Sequence, residues 1–133
     1  MAIADGNGLP IAISVGSATP HEIKLVEKTL MECMAPEFPE RLIGDKAYDS
    51  DKLDKLLKDI WGIQLIAPHK SNRRAKTTQD GRGLRRYRRR WKIERLFAWL
   101  QNYRRIGTRY EVKLTNYLGF VHLGMMKILF RHF

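Results

Sequence analysis

Apolar and polar positions alternate in blocks that punctuate the whole chain. Met1–Ala4 and Leu9–Val15 are rich in Ile and Val and are parted by Asp5-Gly6-Asn7-Gly8. Asp-Gly and Asn-Gly pairs supply the positive φ angles of a tight turn, so a β-hairpin is expected. Thr19-Pro20-His21-Glu22 has the form of a capping box with Pro at the first helical position. Ile23, Val26, Leu30 and Met34 then recur at helical spacing, which predicts a helix over roughly 20–34. Pro36 and Pro39 end it, and Arg41-Leu42-Ile43-Gly44-Asp45 reads as a short strand finishing on an acid. Ser50 caps a second helix with Leu53, Leu56, Leu57 and Ile60 on one face, stopped by Gly62. Ile63–Ala67 is another short apolar strand before Pro68. His69–Gly83 is polar, basic and Gly-containing, the signature of a flexible loop. One long helix from about Leu84 to Ile106 and a last one from about Leu114 to Arg131 complete an alternation of strands and helices that implies an α/β layer structure.

Charge changes this picture. The 133 residues carry 25 Lys and Arg against 14 Asp and Glu, a net +11, and 44% apolar residues provide the material of a core. Fifteen of the basic residues and only Asp80, Glu94 and Glu111 among the acids fall within 70–111, a net +12; the remainder holds ten basic and eleven acidic residues, a net −1. An excess confined to one third of the chain is what a phosphate-binding face looks like. The longest apolar stretch, Leu118–Phe130, is interrupted by His122 and Lys127 and is too short for a membrane span. The opening residues lack the basic and apolar regions of a signal peptide, so a cytoplasmic location is expected. Cys33 is the single cysteine, which excludes an internal disulfide and a Cys-cluster zinc site. His21, His69, His122 and His132 have no metal-ligand spacing.

Two acids stand where chemistry is feasible. Asp45 ends a predicted strand, and the carboxyl ends of strands are where α/β sheets bind ligands; a turn-forming role would also suit it. Glu94 lies in the most basic stretch. On a helix of 3.6 residues per turn Tyr87, Arg90, Glu94 and Gln101 share a stripe about 60° wide, while Ile93, Leu96, Phe97, Leu100 and Tyr103 form an apolar arc of about 120°. Simple pairing of Glu94 with Arg90 at i,i+4 is the plainer explanation of that acid. Two carboxylates beside a polyanion-binding surface suggest divalent-metal phosphoryl chemistry, since Mg²⁺ takes one or two protein carboxylates together with phosphate oxygens.

Gly44–Ser50, followed by Tyr87, Arg90 and Glu94 at that spacing, resembles the C-terminal part of the catalytic domain of DDE-type transposases from bacterial insertion sequences. Gln101 stands where that family's signature has Lys. The resemblance extends from about Met1 to the carboxyl terminus. It implies an RNase H-like mixed sheet flanked by helices over residues 1–133, with 69–83 a basic loop within it, and assigns Asp45 and Glu94 as catalytic residues that hold Mg²⁺ or Mn²⁺. It implies DNA transposition by strand cleavage and transfer, with element ends and target DNA as substrates. A homo-oligomer or an intact transposase is the expected protein partner. The family's first Asp, on the first strand, has no counterpart here, because Asp5 sits at the mouth of the hairpin loop. A truncated fragment, inactive alone, is therefore expected. The expected DNA contacts are Tyr87, Arg89, Arg90, Lys70, Arg73, Arg74, Arg104 and Arg105, with the loop cations on phosphate rather than bases. The alternative is a DNA-binding module, or inhibitor of an intact transposase, without catalysis. RNA binding, with Tyr87, Trp91, Trp99, Tyr103 and Tyr110 as stacking platforms, is weaker because no RNA-recognition signature is present.

Overall fold

The computed structural model describes residues 1–16, 23–74 and 76–132. Strands β1 (Ala2–Ala4) and β2 (Pro10–Ile13) form the expected antiparallel hairpin, with Ile3 opposite Ala12. Its loop is built by one side chain: Asp5 Oδ1 accepts from the amides of Asn7 at 2.9 Å and Leu9 at 2.8 Å, and Gly8 takes a φ of +87°. Helix α1 (Ile23–Met31) follows. The capping box at Thr19–Glu22 lies outside the described residues, and the helix ends at Met31 rather than near residue 34 because the Met34 amide turns to donate to the Ile11 carbonyl at 2.8 Å.

Strands β3 (Arg41–Ile43) and β4 (Gln64–Ile66) pair in parallel around helix α2 (Asp51–Trp61). The Ser50 hydroxyl caps α2 at the Leu53 amide, and Gly62 closes it at a φ of +66°. The expected strand to Asp45 stops at Ile43, because Asp45 bends the chain into a 3-10 turn over Lys46–Tyr48. The strands make two two-stranded sheets, β1–β2 and β3–β4.

Helices cover the hairpin on both faces, as strand alternation dictates. Ile3 and Ala12 join Val26 and Leu30 of α1, Leu53 and Leu57 of α2, and Leu65 in one core cluster. Ile13, with Ala2 and Ala4 packed alongside, joins a second cluster with Leu96, Leu100, Val121, Met125 and Ile128. The buried Ser14 and Thr29 hydroxyls satisfy each other at 2.6 Å, so this polar pair adds no unmet group to the core.

The expected single helix over 84–106 is four pieces: α3 (Gly81–Leu84), a 3-10 stretch over Arg85–Arg90, α4 (Trp91–Gln101) and α5 (Arg104–Gly107). Arg85, Arg86, Arg88, Arg89 and Arg90 explain the first change. Like charges destabilise the α-helical i,i+4 pairs Arg85–Arg89 and Arg86–Arg90, and the three residues per turn of a 3-10 helix take those two pairs off a common face, although they eclipse Arg85 with Arg88 and Arg86 with Arg89. At the second break Tyr103 is extended, and its ring and Ile106 both pack on the second cluster. Phe97, expected on the apolar arc, is 39% exposed. Helix α6 (Leu114–Phe130) lies across α4 and α5, where a Cβ at Gly124 would stand 2.6 Å from Ile106 Cδ1 and 3.3 Å from both Leu100 Cδ2 and Tyr103 Cδ2. No helix among the described residues is long and apolar enough to cross a membrane.

Candidate nucleic-acid interface

Tyr87, Arg90 and Glu94 form a connected line. Tyr87 and Arg90 are three apart, the spacing that eclipses side chains on a 3-10 helix. Arg90 Nη1 donates to the Tyr87 hydroxyl at 2.8 Å, and its guanidinium lies 5.2 Å from the Tyr87 ring centroid. One turn on, Glu94 Oε1 is 3.6 Å from Arg90 Nε. Glu94 remains 61% exposed, and an exposed pair of this kind contributes at most about 1 kcal/mol. Its importance is positional, since it leaves carboxylate oxygens facing outward at the start of α4. Gln101 is also exposed, at the other end of that helix.

Asp45 stands two residues beyond β3. Its Oδ1 accepts from the Ala47 amide at 2.8 Å, and the side chain is exposed. Strand β3, which ends two residues before Asp45, touches the Arg85–Arg90 stretch. Both acids supply hard oxygen donors of the type Mg²⁺ takes. Among the described residues, however, no three His, Cys, Asp or Glu side chains converge as a metal-holding group.

The cations divide into two sets. Arg74, Arg85, Arg86, Arg88, Arg89, Arg90 and Arg104 are exposed. Arg73 is not available in the same way: its side chain is 11% exposed, with Nη1 2.9 Å from Asp49 Oδ1, Nη2 2.5 Å from Asp51 Oδ1, and Nε 3.3 Å from the Lys76 carbonyl. Lys70 enters the same network through its amide, which donates to Asp49 Oδ2 at 2.7 Å. Arg105 pairs with Glu111 at 2.8 Å and lies over the Phe120 ring.

Asp49 is the organising residue that sequence reasoning missed. His69 Nδ1 is 2.8 Å from Asp49 Oδ1, and His69 Nε2 accepts from the Thr78 amide at 3.1 Å. The first part of the 69–83 loop is thereby pinned to the start of α2 instead of moving freely. No periodicity links residue 49 to residues 69 and 73; the only hint was an acid immediately before a helix cap. Burial pushes the Asp49 carboxyl up, but the Lys70 amide, the His69 hydrogen bond and charge, and the Arg73 charge outweigh it and hold the pKa below its ordinary 3.8. Asp54 behaves oppositely, raised by burial first and then by Asp51 and Asp49.

A lowered carboxyl stabilises the fold above its unfolded-state pKa and ceases to do so as pH falls through the folded-state value. In an Asp54→Asn background, which removes the opposing group, Asp49→Asn should therefore lower Tm at neutral pH. The gap should close as pH falls from about 5 to below 3. Thermal melts at several pH values check this, and a gap that stays constant down to the lowest pH would refute the ionic latch.

The hairpin loop docks on α4 through two cations. Lys92 Nζ donates to the Gly6 carbonyl, and Arg95 Nη2 donates to the Asn7 carbonyl at 2.7 Å. The Arg95 guanidinium lies 4.8 Å from the Trp91 ring and 4.6 Å from the Trp99 ring. Gly8 is favoured here by its φ of +87°, a conformation that L side chains rarely adopt. Tyr103 is covered on one face by Lys127, and Tyr110 by Arg104. The aromatic residues considered as RNA-stacking platforms thus each carry a cation on a ring face.

This combination of a mixed α/β fold, a strip of exposed arginines and two outward carboxylates agrees with comparisons to known proteins. A family profile described as "Transposase DDE domain" matches residues 1–125. A transposase of insertion sequence element IS402 from Burkholderia cepacia is 29% identical over 131 residues, covering 92% of this chain and 57% of that protein. A transposase of insertion sequence element IS6501 from Brucella ovis is 33% identical over 132 residues, covering 98% of this chain and 95% of that protein. No solved structure gives a significant match. The chain belongs to the DDE-domain transposase family.

Proposed function

We propose that the chain is part of an RNase H-like catalytic domain that acts in DNA transposition by divalent-metal-dependent cleavage and joining of DNA strands, with Asp45 and Glu94 as two of its catalytic carboxylates. The carrying observation is the Tyr87–Arg90–Glu94 line, set in the arginine stretch that touches β3 just before Asp45. When bound, Mg²⁺ or Mn²⁺ would activate water and neutralise charge developing on phosphate oxygens. The chain's own residues do the rest. Arg90, braced by Tyr87, orients Glu94, while Arg85, Arg86, Arg88 and Arg89 hold the DNA backbone.

Two carboxylates are fewer than a metal-holding group needs, and each of the four described strands pairs on one side only, which leaves sheet edges open to a further acid-bearing strand. The chain alone is accordingly inactive. Incubated with Mg²⁺ or Mn²⁺ and element-end DNA, it should give no nicks above background. Joined to an upstream strand that carries an Asp, it should cut, and Asp45→Asn or Glu94→Gln should abolish the cutting. Robust cleavage by the unextended chain that is lost in Asp45→Ala would overturn the incomplete-site reading. A second reading, DNA binding or inhibition without catalysis, is favoured by one observation: most of the exposed arginines have no contact with either acid.

A further inference from the structure

Between α5 and α6 the chain runs as a short loop over residues 108–113 that is fixed from within. The Glu111 side chain is 7% exposed, and its Oε1 accepts from Arg105 Nη1 at 2.8 Å. Arg109 Nε donates to the Glu111 carbonyl at 3.0 Å and its Nη2 to the Val112 carbonyl at 3.1 Å. The Thr108 amide donates to the Arg104 carbonyl at 3.1 Å. Arg109 also lies over the Tyr117 ring on α6, which ties the loop to the body of the fold.

On this braced backbone two large hydrophobic side chains stand in water. Val112 is 94% exposed and Tyr110 58% exposed. An isolated exposed apolar residue needs no explanation. Here, however, a β-branched residue occupies the tip of a rigid loop, two positions from an exposed aromatic ring. The charges around the tip are Arg104, 5.8 Å from the Tyr110 ring, Arg109 and Lys113. The only acid in the loop, Glu111, faces inward to Arg105. A second copy of this chain, at net +11, would be repelled from such a tip; a polyanion would be attracted.

We propose that the 108–113 loop is a DNA-deforming wedge, in which Val112 enters between base pairs from the minor groove and Tyr110 stacks on the base it exposes. Arg104, Arg109 and Lys113 lie over the flanking phosphates. Apolar wedges of this kind unstack a base step and bend the duplex, and the unstacking cost is lowest at flexible pyrimidine–purine steps. Because the loop is already held by Glu111 and Arg109, little ordering entropy opposes insertion. The inference rests on the reading that DNA is the substrate.

The test uses the full chain and a duplex that carries 2-aminopurine beside a central TA step. Binding of the native chain should raise the fluorescence as the base unstacks. Val112→Asp should remove that rise, Val112→Ile should keep it, and Tyr110→Ala should weaken binding about tenfold. Both residues are exposed, so unchanged thermal melts should show that the variants fold. The salt dependence of Val112→Ile should match the native chain, because no charge changes. Binding without a fluorescence rise, or an undiminished rise with Val112→Asp, overturns the wedge and leaves the DNA reading standing. No binding to any duplex overturns both. A concentration-dependent dimer of the free chain that Val112→Asp abolishes would assign the tip to a protein contact and overturn the wedge.

Discussion

Raising the salt concentration from about 50 to 200 mM is expected to weaken binding of this chain to duplex DNA about a thousandfold or more, the loss typical of a protein that makes six or more phosphate contacts. The expectation follows from where the guanidinium groups are. Arg85, Arg86, Arg88 and Arg89 are exposed along one 3-10 stretch, and Arg74 and Arg104 extend the same sign of charge. Each releases condensed counterions when it meets a phosphate. Replacing Arg85, Arg86, Arg88 and Arg89 together by Ala should lower the slope of log K against log salt by roughly 0.9 for each arginine that contacts phosphate. Arg73→Ala is the instructive control. Its charge is already shared with Asp49 and Asp51, so its loss should leave the slope almost unchanged while loosening the 69–78 segment. Glu94→Gln should not weaken binding at all, which separates grip from chemistry. Fluorescence anisotropy over a salt series measures all of these slopes. A slope that Arg73→Ala lowers as much as an arginine of the 85–90 stretch would show that the division between free and engaged cations is wrong.

That division also marks how far the sequence alone could reach. The Arg90–Glu94 pair was legible because i,i+4 neighbours on a helix need no tertiary information. The hairpin, α2 and α6 were legible for the same local reasons: Asp-Gly and Asn-Gly pairs, the Ser50 and Gly62 caps, and apolar spacing. The break of the 84–106 helix was not. An i,i+3 relation such as Tyr87 to Arg90 fits α and 3-10 geometry equally, so periodicity could not distinguish them, and the arginine run that decides the matter was read as charge rather than as backbone. The Asp49 network lay out of reach because its members are 20 to 24 residues apart. Exposure of Val112 was hidden for the opposite reason. An apolar residue beside a helix start is ordinarily expected to be buried, and only the folded loop shows it in water.

Leu96→Ala should destabilise the fold by about 2–5 kcal/mol, a large fraction of the about 5–15 kcal/mol that holds a typical domain together. Leu96 is fully buried in the second core cluster, between Ile13 of the hairpin and Val121, Met125 and Ile128 of α6. Truncation removes apolar burial and leaves a cavity that the packed α6 surface cannot fill, because Gly124 already brings α6 against the ends of Leu100 and Tyr103. In a chain of this size the loss corresponds to a fall in Tm on the order of 10 °C. Glu94→Ala, two residues earlier on the same helix, should change stability by no more than about 0.5 kcal/mol, since its carboxylate is exposed and its ion pair with Arg90 lies at the surface. Urea melts of the two variants should therefore differ widely in midpoint while keeping similar slopes. Equal midpoints would mean that α4 is not anchored through its apolar face. The contrast matters for function, because the helix that presents Glu94 outward is held in place by residues that touch neither DNA nor the other acid. In the chain joined to an upstream Asp-bearing strand, a variant of Leu96 should lose cleavage by misplacing or melting α4, whereas a variant of Glu94 should lose it with the fold intact. Activity measured below the melting range of Leu96→Ala separates those two routes.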